Sequence, residues 1–111
     1  MAYEFDESDW KLFRERIPVW QERFMGKLVD DYTALLSSDK KASEIFWELV
    51  ERIDSDKRKR GVIIDKRRSQ MLNDLIRLRL EGAIDKEDLH GFNESLVEII
   101  ESTYDELRDR P

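Results

Sequence analysis

Apolar residues recur at helical spacing along most of the chain. After Pro18, seven of them fall on one continuous arc when each residue is turned by about 100°. These are Phe24, Met25, Leu28, Val29, Tyr32, Leu35 and Leu36. The spacing predicts a helix that faces the core. A shorter helical segment from Ser8 to Arg16 precedes it, and Pro18, which lacks a backbone N–H, predicts a break or a sharp kink between the two.

A further helix is predicted after the polar turn at residues 37–39. Its apolar residues fall on one arc: Ile45, Phe46, Leu49, Val50 and Ile53. Trp47 falls off that arc. The helix fades into the polar residues 54–56 and the basic run 57–60, where Gly61 suits a C-terminal stop. The sequence therefore predicts a helix with one apolar side.

Two more helices complete the pattern. The first runs from Asp65, which can cap it, to about Glu81, and Gly82 follows as its stop. After a single turn over residues 85–88, Asn93 caps the last helix. The apolar residues of that helix are Leu96, Val97, Ile100, Tyr104 and Leu107. The sequence thus predicts an all-α fold, a small helical bundle of four main helices plus one or two short accessory helices.

Length and composition fit a single helical domain over residues 1–111, since domains of about 100–150 residues are the commonest. The chain has no Cys, which excludes disulfides and thiol catalysis. Its longest apolar run, residues 62–64, is far shorter than the roughly 20 residues of a membrane-spanning helix. No signal-peptide pattern follows the N-terminus. We therefore expect a cytoplasmic protein that does not enter the membrane.

The sequence lacks a recognisable catalytic constellation. It has one His, His90, and its four Gly residues are isolated and form no phosphate-binding loop. Glu87 and His90 have the Glu-x-x-His spacing of di-metal bundles, but such sites need a second copy on another helix. We expect neither an enzyme nor a metal or cofactor site.

Positive charge is concentrated in one stretch, which we call the basic segment, residues 57–68. Its cations are Lys57, Arg58, Lys59, Arg60, Lys66, Arg67 and Arg68. Such a cluster can neutralise nucleic-acid phosphates. The alternative is that it faces acidic surface of the same protein, because the whole chain has a net charge of −6. No aromatic residue lies among the cations to stack on bases.

Four residues are candidates for an interface. Trp20 and Trp47 lie at or beyond the edge of their apolar arcs, and an exposed Trp is a favoured anchor in protein interfaces. Arg68 and Arg79 fall inside the apolar arc of the predicted helix over 65–81. A guanidinium there either snorkels from a helix end or meets a carboxylate across a helix interface. Their placement near opposite helix ends favours snorkelling.

Three stretches carry a resemblance to a known group of proteins. They are Phe13 through Arg23, Phe46 through Ile53, and Asp56 through Val62. Together they resemble a family of small uncharacterised all-α proteins of Gram-positive bacteria, often given the automatic label "multidrug transporter". That label does not suit a sequence without a membrane-spanning segment. The resemblance implies no catalytic residue.

These features predict a protein that acts by binding another protein or itself. One arrangement is a homodimer in which residues 57–68 of one copy pair with the acidic residues 94–109 of the other. The alternative function is a nucleic-acid-associated regulator that uses the basic segment.

Overall fold

The computed structural model describes residues 6–109 and is all-α. Four α-helices follow one another within that range: α1 (Glu7–Leu36), α2 (Ala42–Asp56), α3 (Met71–Leu80) and α4 (Glu94–Arg108). Short 3₁₀ turns at Arg68–Gln70 and Glu87–Leu89 precede α3 and α4, and residues 6–109 contain no strand. The predicted all-α fold with short accessory elements is confirmed. Residues 1–5 and 110–111 of the predicted domain lie outside the described residues.

Helix α1 runs through Pro18, so the predicted break there is wrong. A proline inside a helix costs about 3 kcal/mol or more. The buried apolar residues of α1 on both sides of Pro18 form one stripe: Trp10, Phe13, Ile17, Trp20 and Phe24. Each fully buried side chain of this kind contributes roughly 1.5–3 kcal/mol. A continuous helix keeps all five in the core, and Pro18 itself lies on the exposed side.

The core forms where this stripe meets α3, α4 and the connection between them. Besides the five α1 residues it contains Met71, Leu75, Leu78, Ala83, Ile84, Leu89, Phe92, Leu96 and Ile100. Gly82 and Gly91 have positive φ angles of 79° and 94°, as expected for residues that end a helical turn. The connection from α3 to α4 is therefore part of the core.

The start of α4 agrees with the prediction, whereas the start of α3 does not. Asn93 caps α4 as predicted, because its side-chain oxygen accepts a hydrogen bond from the Ser95 N–H at 3.2 Å. Its own N–H donates to the buried Asp9 at 2.9 Å, which joins the starts of α4 and α1. By contrast α3 begins at Met71, six residues after the predicted cap Asp65, whose carboxylate pairs with Arg67 instead.

The second half of α1 and the whole of α2 form an antiparallel hairpin, residues 25–56, which we call the arm. No residue of α2 is buried, and none belongs to the core cluster. The predicted apolar side of α2 therefore lies outside the core. The described residues extend over 52 × 30 × 22 Å, an elongated shape for four helices.

Candidate protein-binding surface

The arm exposes large apolar side chains, which we call the arm face. Every one of them is more than a third exposed: Val29, Leu36, Phe46, Trp47, Val50 and Ile53. In sequence all of them except Trp47 lie on the apolar arcs of their helices. In the structure they have no second layer of helices above them within residues 6–109.

Residues from both helices of the arm point to the same side. On α1, the exposed Val29 and Leu36 each follow a more buried residue, Leu28 and Leu35. On α2, the exposed side chains of Phe46, Val50 and Ile53 likewise follow Ile45, Leu49 and Arg52, which are half-buried. A step of one residue along a helix turns the side-chain direction by about 100° about the helix axis. In two antiparallel helices that face each other, this turn leads to the same side of the pair. These five residues thus form one continuous surface, and Trp47 extends it at the outer edge of α2, where it packs against Phe46.

Polar contacts hold the base of the arm in place. The Tyr32 hydroxyl donates to an Asp56 carboxylate oxygen at 2.5 Å, and the Gln21 side chain donates to the Arg60 carbonyl at 3.1 Å. Burial, together with the bond to Asp56, raises the pKa of Tyr32 from 10.0 to about 12. The stabilisation from this neutral hydroxyl is therefore present below pH 10 and is lost as the pH rises towards 12.

Gly61 allows the chain after α2 to pass close to α1. A Cβ atom at this position would overlap the ring of Phe24, which is buried. The N–H groups of Arg60 and Gly61 both donate to the Glu81 carboxylate, at 3.0 and 3.1 Å. This fixes the point at which the arm leaves the core.

The two candidate tryptophans have opposite environments. Trp47 is 63% exposed and packs edge-on against Phe46, with 5.0 Å between ring centroids and an interplanar angle of 84°. Trp20 is only 3% exposed and packs against Phe92 in the core. The prediction of Trp20 as an interface residue is wrong, because Trp20 is buried together with Ile17 and Phe24, its neighbours in the stripe on α1. Trp47 has the exposure that was predicted for an anchor.

The two candidate arginines form ion pairs within the chain. Arg79 donates to both carboxylate oxygens of Glu101 on α4 at 2.7 Å, and its guanidinium lies 3.8 Å from the ring centroid of Tyr104. The snorkelling prediction is wrong for Arg79, and its place between α3 and α4 removes it from any outer interface. Arg68 lies in the 3₁₀ turn before α3, is exposed, and pairs with Glu7 of α1 at 2.7 Å.

Carboxylates of the same chain pair with most cations of the basic segment. Four of these pairs join Lys57 to Asp54, Lys59 to Asp56, Arg60 to Asp74 and Arg67 to Asp65, at 2.7–3.0 Å, and Arg68 pairs with Glu7 as above. Asp74 is buried, and this burial raises the pKa of its carboxyl despite the hydrogen bond from Arg60. Arg58 and Lys66 are exposed. Much of the predicted patch therefore binds its own protein.

The structure offers no constellation for metal chemistry in the part of the chain that it describes. Within residues 6–109, no group of three or more His, Asp or Glu side chains is placed to hold a metal ion. His90 is exposed and precedes Gly91. The Arg16 guanidinium donates hydrogen bonds to the backbone carbonyls of Asp88 and His90, and these bonds hold the connection between α3 and α4 in place.

Sequence reasoning missed most of the arm face because it assigned Val29 and Leu36 to a helix that faces the core and gave the apolar arc of α2 without showing what covers it. Only Trp47 was singled out. A signal was present: two apolar residues in succession, as in Phe46–Trp47, widen the arc of α2 beyond what one neighbouring helix can cover.

Comparison with known proteins gives no match: no family model fits the chain, and no curated protein or solved structure is similar to it. The resemblance to the small Gram-positive family stays a prediction. None of the helices within residues 6–109 combines the length and apolarity needed to cross a bilayer.

Proposed function

We propose that this protein is a non-catalytic, cytoplasmic protein-binding protein, and that the arm face is its binding surface. The observation that carries the proposal is the placement of five large apolar side chains on one exposed side of the hairpin, with Trp47 packed against Phe46 at its outer edge. The elongated arm presents them away from the core, where a partner can reach them.

The size of the arm face supports binding. Exposed side chains of these types present on the order of 500 Å² of apolar surface, near the upper end of the largest patches on monomeric proteins, about 300–600 Å². Exposure of this area to water is unfavourable by roughly 25 cal/mol per Å². In a chain with 41% charged residues, such a patch stands out against the rest of the surface.

A capture experiment with matched variants tests the proposal. Tagged wild type, Phe46→Glu and Ala34→Glu are incubated with a nuclease-treated lysate of the source organism that contains an untagged copy of the chain. Ala34 is exposed and precedes Leu35, so its side chain turns to the opposite side of the arm from Leu36. We expect a protein that wild type and Ala34→Glu retain and Phe46→Glu loses.

The test depends on which of the three chains retain a protein, and not on which protein that is. Equal capture by all three chains would place binding elsewhere on the molecule and contradict the role of the arm face. Nucleic acid recovered without nuclease, and no protein with it, would favour the competing function.

Nucleic-acid binding through the basic segment is the competing hypothesis, and it yields a separate prediction. We expect wild type to leave a labelled DNA or RNA duplex unshifted in a mobility-shift assay at about 50 mM salt, because carboxylates already neutralise most of the cations. In the matched variant, Glu replaces Arg58, Lys66 and Arg67. These three residues are exposed, and their replacement leaves the Arg60–Asp74 ion pair intact. A shift by wild type that this variant abolishes would establish the competing function.

A further inference from the structure

We propose that a second copy of this chain covers the arm face, with the two arms packed antiparallel about a two-fold axis near Val50. This inference rests on the proposed function and names its partner. The product is a four-helix bundle, in which each arm supplies the second layer of helices that the other lacks.

The spacing of the arm face suits a two-fold interface. Such an interface is self-complementary: where residue i contacts residue j of the other copy, j also contacts i. Phe46 lies four residues before Val50 and Ile53 lies three residues after it. An axis at Val50 therefore brings Phe46 close to the partner's Ile53 at both ends. Val29 lies seven residues before the end of α1 and Val50 eight residues after the start of α2, so Val29 is at the same level of the arm and meets its own copy near the axis. A large ring thus meets a smaller branched side chain at each end.

Charge decides between the antiparallel and the parallel arrangement. The distal part of the arm, residues 39–54, has five carboxylates and three cations, whereas residues 57–60 at its base have four cations. With the axis at Val50, residues 57–60 of one arm lie beside residues 40–43 of the other, where Lys40 is already paired with Glu48. Antiparallel packing therefore places the two basic bases at opposite ends of the bundle. Parallel packing brings the two bases together and also places both cores at one end. Separation of the two like-charged bases thus favours the antiparallel arrangement.

The area of the arm face also fits a dimer. Stable interfaces bury about 800 Å² per partner, with an apolar centre and a polar rim. Roughly 500 Å² of apolar surface forms such a centre here, and the charged residues along its edges form the rim. Asp54 and Lys57 form an ion pair at 3.0 Å, and about an axis at Val50 they lie opposite the uncharged Phe46 and Ser43 of the second copy.

Sedimentation analysis tests the association. Wild type, Val50→Glu and Ala34→Glu are compared over a wide concentration range, with circular dichroism to verify that each variant is folded. We expect wild type and Ala34→Glu to pass from monomer to dimer as concentration rises. Val50→Glu should dissociate at least tenfold more readily, because it places two carboxylates together at the axis.

Cross-linking tests the register independently of any destabilised variant. The chain has no Cys, so single Cys variants carry one reactive thiol each. With a short bis-maleimide, Val50→Cys should form covalent dimers efficiently, and the exposed Ala34→Cys control should not. Efficient linkage at position 34 with none at position 50 would overturn the proposed packing.

The dimer and the proposed function fail in distinguishable ways. A wild-type chain that stays monomeric at every concentration overturns the dimer. If a different protein is then captured in the pattern expected above, with Phe46→Glu inactive, the arm face still binds a partner. If no protein is captured in that pattern, both proposals are wrong.

Discussion

Replacing Phe13 by alanine is expected to lower the free energy of unfolding by about 3–5 kcal/mol, the usual cost of emptying a buried aromatic site. Phe13 is fully buried and packs against Trp10 with 5.8 Å between ring centroids. Its loss leaves a cavity in the stripe that keeps α1 continuous through Pro18. Guanidinium unfolding monitored by circular dichroism measures the change.

The matched variant is Phe46→Ala, which removes the same side chain from the arm face. Phe46 is 58% exposed, so we expect a change of less than about 1 kcal/mol when the protein is dilute enough to be monomeric. At high concentration the cost should grow, because the arm face is then covered. A loss equal to that of Phe13→Ala in the dilute protein would mean that α2 packs onto the core, and the arm would not be a separate element.

The contrast between Phe13 and Phe46 shows which features of the structure the sequence predicts and which it does not. Helical periodicity finds which side of a helix is apolar, because that depends on positions within one segment. It does not reveal what covers that side. The arcs of α1 and α2 were therefore predicted correctly as apolar, yet Phe46 and Val50 are exposed while Phe24 and Leu35 are buried.

Local rules also failed where tertiary packing outweighed them. Pro18 normally ends a helix, but the buried residues on both sides, such as Ile17 and Trp20, make the continuous helix more stable. At the start of α3, Asp65 has the chemistry of a cap, but it pairs with Arg67 and the helix begins later. By contrast Asn93 caps α4 as predicted.

Partners far apart in sequence were the least predictable feature. Composition located the basic segment, but it gave no sign that Arg60 reaches Asp74 or that Arg68 reaches Glu7 on α1. Likewise the helical arc marked Arg79 as an arginine among apolar residues, and the two expected explanations included a carboxylate across a helix interface. That carboxylate, Glu101, lies on a different helix, and only the packing of α3 on α4 identifies it.

Replacing Glu101 by glutamine is expected to lower the free energy of unfolding by about 1–3 kcal/mol at pH 7, because breaking a partly buried ion pair leaves a charge without its partner. The side chains of Arg79 and Glu101 are 12% and 17% exposed, and two hydrogen bonds of 2.7 Å join them. Glutamine has one carbonyl oxygen, so it accepts fewer hydrogen bonds from Arg79 and carries no charge. Glu98→Gln, an exposed position on the same helix, is the matched control and should change stability by less than about 0.5 kcal/mol.

The loss of stability caused by Glu101→Gln should become smaller as the pH falls. The hydrogen bonds from Arg79 hold the pKa of the Glu101 carboxyl below its usual value of 4.5. A group whose pKa is lowered by folding stabilises the protein above its unfolded pKa, and this stabilisation is lost as the pH falls through the folded pKa. The difference between wild type and Glu101→Gln should therefore be largest at pH 7 and shrink below pH 4.5. A difference that stays constant down to pH 3 would show that glutamine acts by disturbing packing beside Tyr104, and the ion pair would then contribute little to stability.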